Sequence, residues 1–212
     1  AASLRIIPGM DVWRPCDTVE SAVAWAHALG RKDGPSCLLF SRQGTQFVKR
    51  DAATLEAVRR GGYVLSDAQG KARAAILATG SEVGLALSAQ KALLEAGIAV
   101  RVVSMPCTNV FDRQEAAWRE SVLPKGLPRV AVEAGVTDFW RKYVGLEGAV
   151  IGVDRFGELS RTTTLSTLEE QMFKKVRETV LRCGLESRSA LDPESDRAGQ
   201  VALPEVRFLV AG

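Results

Sequence analysis

The sequence predicts an α/β protein: an open, mostly parallel sheet in the C-terminal part, preceded by an incomplete α/β piece. Three observations carry this expectation. Apolar runs at Ala74–Ala78 and Ile98–Met105 flank a helix-length segment, which makes one βαβ unit. Strand-length and helix-length segments continue to alternate after it, the signature of a parallel sheet covered by helices. A shorter strand–helix–strand pattern stands before it.

Taken in order, Ala1–Gly9 carries no helix-start signal and is closed by Pro8-Gly9, so the chain is expected to open within a helix that ends there. Asp11–Arg14 is a short strand. Asp17 is the predicted N-cap of the next helix, with Glu20 at capping-box spacing and an apolar face of Val19, Val23, Ala26 and Leu29. Gly30 and Gly34-Pro35 stop it, and Ser36–Phe40 reads as a buried strand running into Ser41-Arg42-Gln43. The polar stretch Gly44–Arg60 reads as a linker with a short helix at Ala53–Arg59, and Gly61–Asp67 as an edge strand with a turn.

In the central unit, Thr79 and Glu82 have capping-box spacing. Val83, Ala86, Leu87, Leu93 and Leu94 make an apolar face, with Glu82, Gln90, Lys91 and Glu95 left to water, and Gly97 ends the helix. The flanking runs are too continuously apolar for half-exposed strands and suit parallel strands covered on both faces; the crossover between them should be right-handed. After Pro106 the pattern predicts a helix at Asp112–Val122 stopped by Pro124, a strand at Arg129–Glu133, a short helix at Asp138–Tyr143 and a strand at Ala149–Val153. Ser166 with Glu169, and the stripe Leu168, Met172, Val176 and Val180, predict a last helix ending before Gly184. From Leu185 periodicity is lost and poor order is expected, although Val201–Val210 is apolar enough to dock.

Composition narrows the function classes. With 212 residues, 46% hydrophobic, the chain can bury an ordinary core, and its net charge of +3 comes from 28 basic and 25 acidic residues of interspersed sign. No basic block marks a nucleic-acid or membrane footprint, and no apolar run approaches the roughly 20 residues of a spanning helix. Without a charged region, apolar stretch and cleavage site at its start, the chain is read as cytoplasmic. Cys16, Cys37, Cys107 and Cys183 have no C-x-x-C spacing and are expected as buried or half-buried thiols, not as disulfides or zinc ligands.

Arg42 is the sharpest candidate for chemistry. It stands just beyond the carboxyl end of a predicted parallel strand, where open α/β sheets bind ligands, and a planar guanidinium suits phosphate or carboxylate; a solvated arginine at a strand end is the plainer alternative. His27, the single histidine, lies within a helix and is read as an ordinary helix residue. The Gly80-Ser81 helix start could hold an anion, but without a glycine-rich phosphate motif a structural turn is the reading. Glu133, Asp138, Asp154 and Glu158 form no recognisable carboxylate pair.

Several stretches together resemble transketolase. Trp13-Arg14-Pro15-Cys16-Asp17 with Glu20, Gly34-Pro35 and Ser41-Arg42-Gln43 look like the end of that family's pyrimidine-binding domain. Arg60-Gly61-Gly62-Tyr63-Val64-Leu65, Ala78-Thr79-Gly80-Ser81-Glu82-Val83, Arg101-Val102-Val103-Ser104-Met105-Pro106, Phe111-Asp112 with Gln114, and Ser121-Val122-Leu123-Pro124 look like its C-terminal domain. Val130-Ala131-Val132-Glu133-Ala134-Gly135, Lys142-Tyr143-Val144-Gly145 and Asp154-Arg155-Phe156-Gly157-Glu158 continue the match.

The resemblance implies residues 1–43 as the truncated end of a pyrimidine-binding domain, 44–60 as a linker, 61–184 as the transketolase C-terminal domain and 185–212 as a divergent tail. It implies transfer of a two-carbon ketol group between ketose and aldose phosphates, using thiamine diphosphate and a divalent metal, magnesium or calcium, in a homodimer. Arg42, in the Ser-Arg-Gln motif, would hold the sugar phosphate. The family's cofactor-binding and catalytic residues lie upstream of the match, so no catalytic, cofactor or metal residue is assigned and the chain alone is expected to be inactive. The N-terminal part of the same protein is the expected partner. The alternative is a non-catalytic binding or dimer-assembly protein built from the C-terminal domain. After Glu158 the family's Ser-Ala-Pro continuation is replaced by Leu159-Ser160-Arg161.

Overall fold

The computed structural model describes residues 1–42, 44–154 and 174–182. A short helix, α1 (Ala2–Arg5), precedes β1 (Asp11–Trp13), α2 (Thr18–Gly30) and β2 (Ser36–Leu38). β1 and β2 pair in parallel, Val12 opposite Cys37, as a two-stranded sheet. α3 (Ala52–Val58) then leads to β3 (Tyr63–Ser66), β4 (Ala74–Ala78), α4 (Glu82–Glu95) and β5 (Val100–Ser104). α5 (Thr108–Asp112), α6 (Ala116–Val122), β6 (Arg129–Val132), a 3-10 turn at Asp138–Trp140, α7 (Arg141–Val144) and β7 (Ala149–Ile151) follow. Residues 174–182 are helical and are called α8.

The second sheet has the order β3-β5-β4-β6-β7, parallel throughout except for the antiparallel edge strand β3. Its strands are covered on both faces. Ile76, Val102, Val130 and Val132 pack against Val83, Ala86, Ala89 and Leu93 of α4 and against Val176 and Val180 of α8. Ala75, Leu77, Val103 and Ala131 face the opposite way, onto Phe111, Val122, Trp140 and Tyr143. Alternation of side chains along a strand therefore divides one apolar run between two cores, which is why these strands show no polar face. Full burial of Val83 or Leu93 contributes about 1.5–3 kcal/mol each.

α4 ends as the sequence predicts. Gly97 takes φ 75°, its N–H donates to the Leu94 carbonyl at 2.9 Å, and the Ile98 N–H reaches the Leu93 carbonyl at 2.8 Å, closing a Schellman motif. Its start does not follow expectation. Thr79 makes no capping box: its hydroxyl donates to the Arg14 carbonyl at 3.1 Å, the N-cap is Ser81 without a side-chain cap bond, and Glu82 is buried. Ala89 joins the buried face and Leu94 leaves it, at 36% exposure.

Other differences have local causes. Asp17 caps α2 by accepting from the Glu20 N–H at 3.0 Å, but the buried residues of that helix are Glu20, Val23 and Ala24. Ala26 and Leu29 are exposed, so the face is turned relative to the apolar stripe because a polar cluster holds Glu20 inside. β2 ends at Leu38 and is half-buried, since only β1 pairs with it. The helix after Pro106 is two helices, broken at residues 113–115. The stretch 44–60 is more than a linker: Asp51 caps α3 through the Thr54 N–H at 2.7 Å, and Val58 is buried with Trp13, Val23, Tyr63 and Val110 in a core shared by both sheets. Expectations for Glu158, Ser166, Leu168, Glu169, Met172, Cys183 and 185–212 lie outside the described residues.

Candidate functional site

Arg42 lies four residues past the end of β2, on the carboxyl side of the two-stranded sheet, and is exposed. The approach to it is fixed by the Leu39 N–H, which donates to the Trp13 carbonyl at 2.8 Å, and by Phe40, whose ring stacks on Trp25 with centroids 6.1 Å apart. Trp25 and Phe40 are themselves 52% and 46% exposed. Among the described residues no carboxylate pairs with Arg42. A guanidinium in this position can take a phosphate from solvent without first breaking an internal ion pair.

Behind it, the two sheets are joined by buried charge. Arg50 donates to Asp17 Oδ2 at 2.6 Å and to the Tyr63 hydroxyl at 2.9 Å, with 2% of its side chain exposed. Burial opposes the guanidinium's charge, yet the Asp17 bond and the Tyr63 and Glu20 neighbours raise its pKa overall. Glu20 accepts from the Cys16 N–H at 2.7 Å, the Tyr63 hydroxyl at 2.8 Å and the Ser104 hydroxyl at 2.6 Å. Burial, with the Glu20 charge beside them, pushes the Tyr63 phenol and the Cys16 thiol up, so both stay protonated. Both carboxylate oxygens of Glu20 are therefore engaged within the protein.

A second junction fills the carboxyl ends of β4, β5 and β6. The Arg14 N–H donates to the Pro106 carbonyl at 2.7 Å, and its carbonyl accepts from the Gly80 N–H at 3.0 Å. Its guanidinium donates to the Thr79 carbonyl at 2.9 Å, pairs with Glu82 and lies 3.4 Å from Glu133. Gly80 has φ 60°, and a Cβ there would stand 2.9 Å from Arg14 Cζ. Arg5 makes a bidentate pair with Glu133 at 2.6 and 2.9 Å, the Trp140 indole N–H adds a bond at 2.8 Å, and the Arg5 guanidinium lies 4.8 Å from the Phe139 ring centre. Burial would raise the Glu133 pKa, but the Arg5 bond and the Arg5 and Arg14 charges hold it below the ordinary range. β4 is where the strand order changes direction, the usual ligand crevice of an open sheet; here arginines from the N-terminal unit occupy it. The Gly80-Ser81 helix start is a structural turn.

Asp11 is the third junction. Its buried carboxylate takes a bidentate Arg113 at 2.8 and 2.7 Å, His27 Nε2 at 2.9 Å and Arg31 at 2.9 Å. Burial would raise its pKa, but the Arg113 and His27 bonds keep it low. His27 also tilts against Trp13 at 5.0 Å, so it is part of the packing. Asp154 accepts from the Thr137 N–H and hydroxyl at 2.8 and 2.9 Å and turns a loop. Cys16 and Cys107 are buried and Cys37 half-buried, all three as free thiols. Arg5, Arg14 and Arg50 carry no signal of their own in the sequence, because no local periodicity distinguishes a buried, paired arginine from a solvated one; Arg113, which reaches Asp11 from the surface, is 52% exposed.

Among the described residues no three His, Cys, Asp or Glu side chains could hold a metal ion. With the switch-point crevice filled by Arg14, the described residues do not fit a diphosphate–metal site.

A family model described as the transketolase pyrimidine-binding domain matches residues 1–46, and one described as the transketolase-like C-terminal domain matches residues 61–173. Transketolase 2 of Aliivibrio fischeri is 55% identical over 158 residues, covering 74% of this chain; Transketolase 1 of Escherichia coli is 54% identical over the same length and coverage. The chain spans 24% of each of these relatives. A crystal structure of Pichia stipitis transketolase in complex with sedoheptulose 7-phosphate superposes with a TM-score of 0.68 at 35% identity, covering 90% of this chain and 26% of that one.

Proposed function

This chain belongs to the transketolase family, and from that premise we propose that it is the C-terminal segment of a thiamine diphosphate-dependent enzyme that moves a two-carbon ketol group between ketose and aldose phosphates. Residues 1–43 end the pyrimidine-binding domain, 44–60 connect it, 61–184 form the C-terminal domain, and 185–212 are a divergent tail. Magnesium or calcium would serve the cofactor, and ligands for both come from the preceding part of the protein. The working enzyme is a cytoplasmic homodimer in which Arg42 holds the sugar phosphate.

The observation that supports this reading most is the order of the two family matches, with both matched segments locked together by the Arg5, Arg14 and Arg50 junctions. The Pichia stipitis relative is a sugar-phosphate complex, which agrees with a phosphate role for an exposed arginine. When bound, the thiamine ring supplies the electron sink of the reaction; this segment would supply Arg42 and dimer surface.

The test is an activity assay of two preparations: this chain alone, and the longer transketolase that carries this segment. Ketol transfer is expected in the second and not in the first, and Arg42→Ala in the longer enzyme should raise KM for phosphorylated donors by roughly 10-fold or more, as loss of a charged hydrogen bond predicts. An unchanged KM refutes the phosphate role. No activity in the longer protein favours the non-catalytic assembly reading.

A further inference from the structure

Near the amino end of β6, bordered by α5, α6 and α7, lies an open groove of about 330 Å³. Arg119, Lys125, Arg129 and Lys142 line it, against two carboxylates, Asp112 and Glu120. The carboxylates do not cancel the charge. Asp112 is already engaged by Lys142 Nζ at 2.5 Å and by the Tyr143 hydroxyl at 3.0 Å. Glu120 stands 3.8 Å from Lys125, with both side chains largely in solvent. Arg119 has no carboxylate partner among the described residues and is exposed.

Arg129 is the unusual member. Its guanidinium donates to the carbonyls of Tyr143, Leu123 and Pro124 at 2.8, 2.8 and 2.9 Å, three bonds to neutral acceptors that leave its charge unbalanced. Arg5, Arg14, Arg50 and Arg101, also largely buried, each meet a carboxylate. Burial accordingly shifts Arg129 downward from the ordinary guanidinium range, with nothing opposing it. Beside these cations the groove has an apolar side made by Phe111, Leu123 and the Tyr143 ring. Guanidinium and ammonium groups around a small apolar wall match a phosphate carried on a compact organic body.

We propose that this groove binds a small organic phosphate, with the phosphate held by Arg119 and Lys125 and balancing the Arg129 charge, and the organic part lying on Phe111, Leu123 and Tyr143. The site is separate from Arg42, which belongs to the other sheet, and it does not depend on the ketol-transfer reading.

Titration of the full 212-residue chain with phenyl phosphate and with inorganic phosphate, by calorimetry at fixed ionic strength, tests it. Phenyl phosphate should saturate one site and bind about 10-fold tighter than inorganic phosphate, the equivalent of about 1.4 kcal/mol from the apolar wall. An Arg119→Gln, Lys125→Gln double variant should weaken phenyl phosphate by roughly 10-fold or more with its thermal midpoint unmoved, because both heads are exposed; Arg59→Gln, an exposed charge elsewhere, should not weaken it. Absence of saturable binding, equal affinity for the two probes, or unchanged affinity in the double variant overturns the proposal.

Discussion

Arg5 and Glu133, 128 positions apart in sequence, form a bidentate ion pair with side chains only 1% and 3% exposed. The pair joins the first helix to the end of the central sheet, and Trp140 and Arg14 complete its surroundings. Removing one partner of such a pair leaves a buried charge, which typically costs 3–5 kcal/mol. Arg5→Met should therefore lower stability by about 3 kcal/mol, near the lower limit because Arg14 remains close to Glu133. A denaturation midpoint within experimental error of the parent would refute this.

Acid should unlock the same junctions. Glu133 and Asp11 both have folded-state pKa values held below their ordinary ones, so each contributes stability above its unfolded pKa of about 4 and loses it as pH falls through the folded value. Denaturant midpoints should be level from about pH 7 to 5 and then fall below about pH 4. Glu133→Gln should start lower and fall less steeply; parallel curves would argue against Glu133 as a source of the acid sensitivity.

Tyr63→Phe tests the Arg50 cluster. The hydroxyl both accepts from Arg50 and donates to Glu20, so its loss leaves one donor and one buried acceptor short. The expected cost is about 1–3 kcal/mol, read from chemical denaturation, with the sheet preserved by far-ultraviolet circular dichroism.

Two glycines separate backbone strain from crowding. Gly97→Ala meets a positive φ of 75° with nothing within 4 Å and should cost about 1–2 kcal/mol. Gly80→Ala adds contact with Arg14 at 2.9 Å to a similar φ and should cost more. Equal losses would show that Arg14 moves aside freely.

At Arg42, charge and geometry can be distinguished in the longer enzyme. Arg42→Lys keeps the charge but loses the planar fork, so KM for phosphorylated donors should fall between the parent and the alanine variant. A lysine variant equal to the parent would reduce the role to simple charge.

Where local physics decides structure, the sequence was readable. The continuous apolarity of Ala74–Ala78 announces a strand buried on both faces, and Gly97 announces the stop of α4, because a positive φ and two carbonyl-capping bonds need nothing distant. At Thr79 and Ala26 the opposite holds. Both follow a local rule, a cap spacing and an apolar stripe, that a distant polar partner overrides: the Arg14 carbonyl takes the Thr79 hydroxyl, and the Tyr63 and Ser104 hydroxyls hold Glu20 inside. The candidate site divides likewise. Arg42 could be singled out from its place after a strand, while the groove around Arg129 draws on residues from 111 to 143 and has no contiguous signature.

The sequence by itself determined the elements, their alternation and the family, since each depends on neighbours along the chain or on motifs kept in order. Tertiary structure alone decided which charges are buried and what they meet. Arg5, Arg14, Arg50 and Arg129 look alike in sequence; Arg5 and Arg14 acquire carboxylates from the second sheet's unit, Arg50 acquires Asp17 at the start of α2, and Arg129 acquires only carbonyls. An ion pair spanning many residues is set by the geometry of packing, to which chain-local propensity is blind.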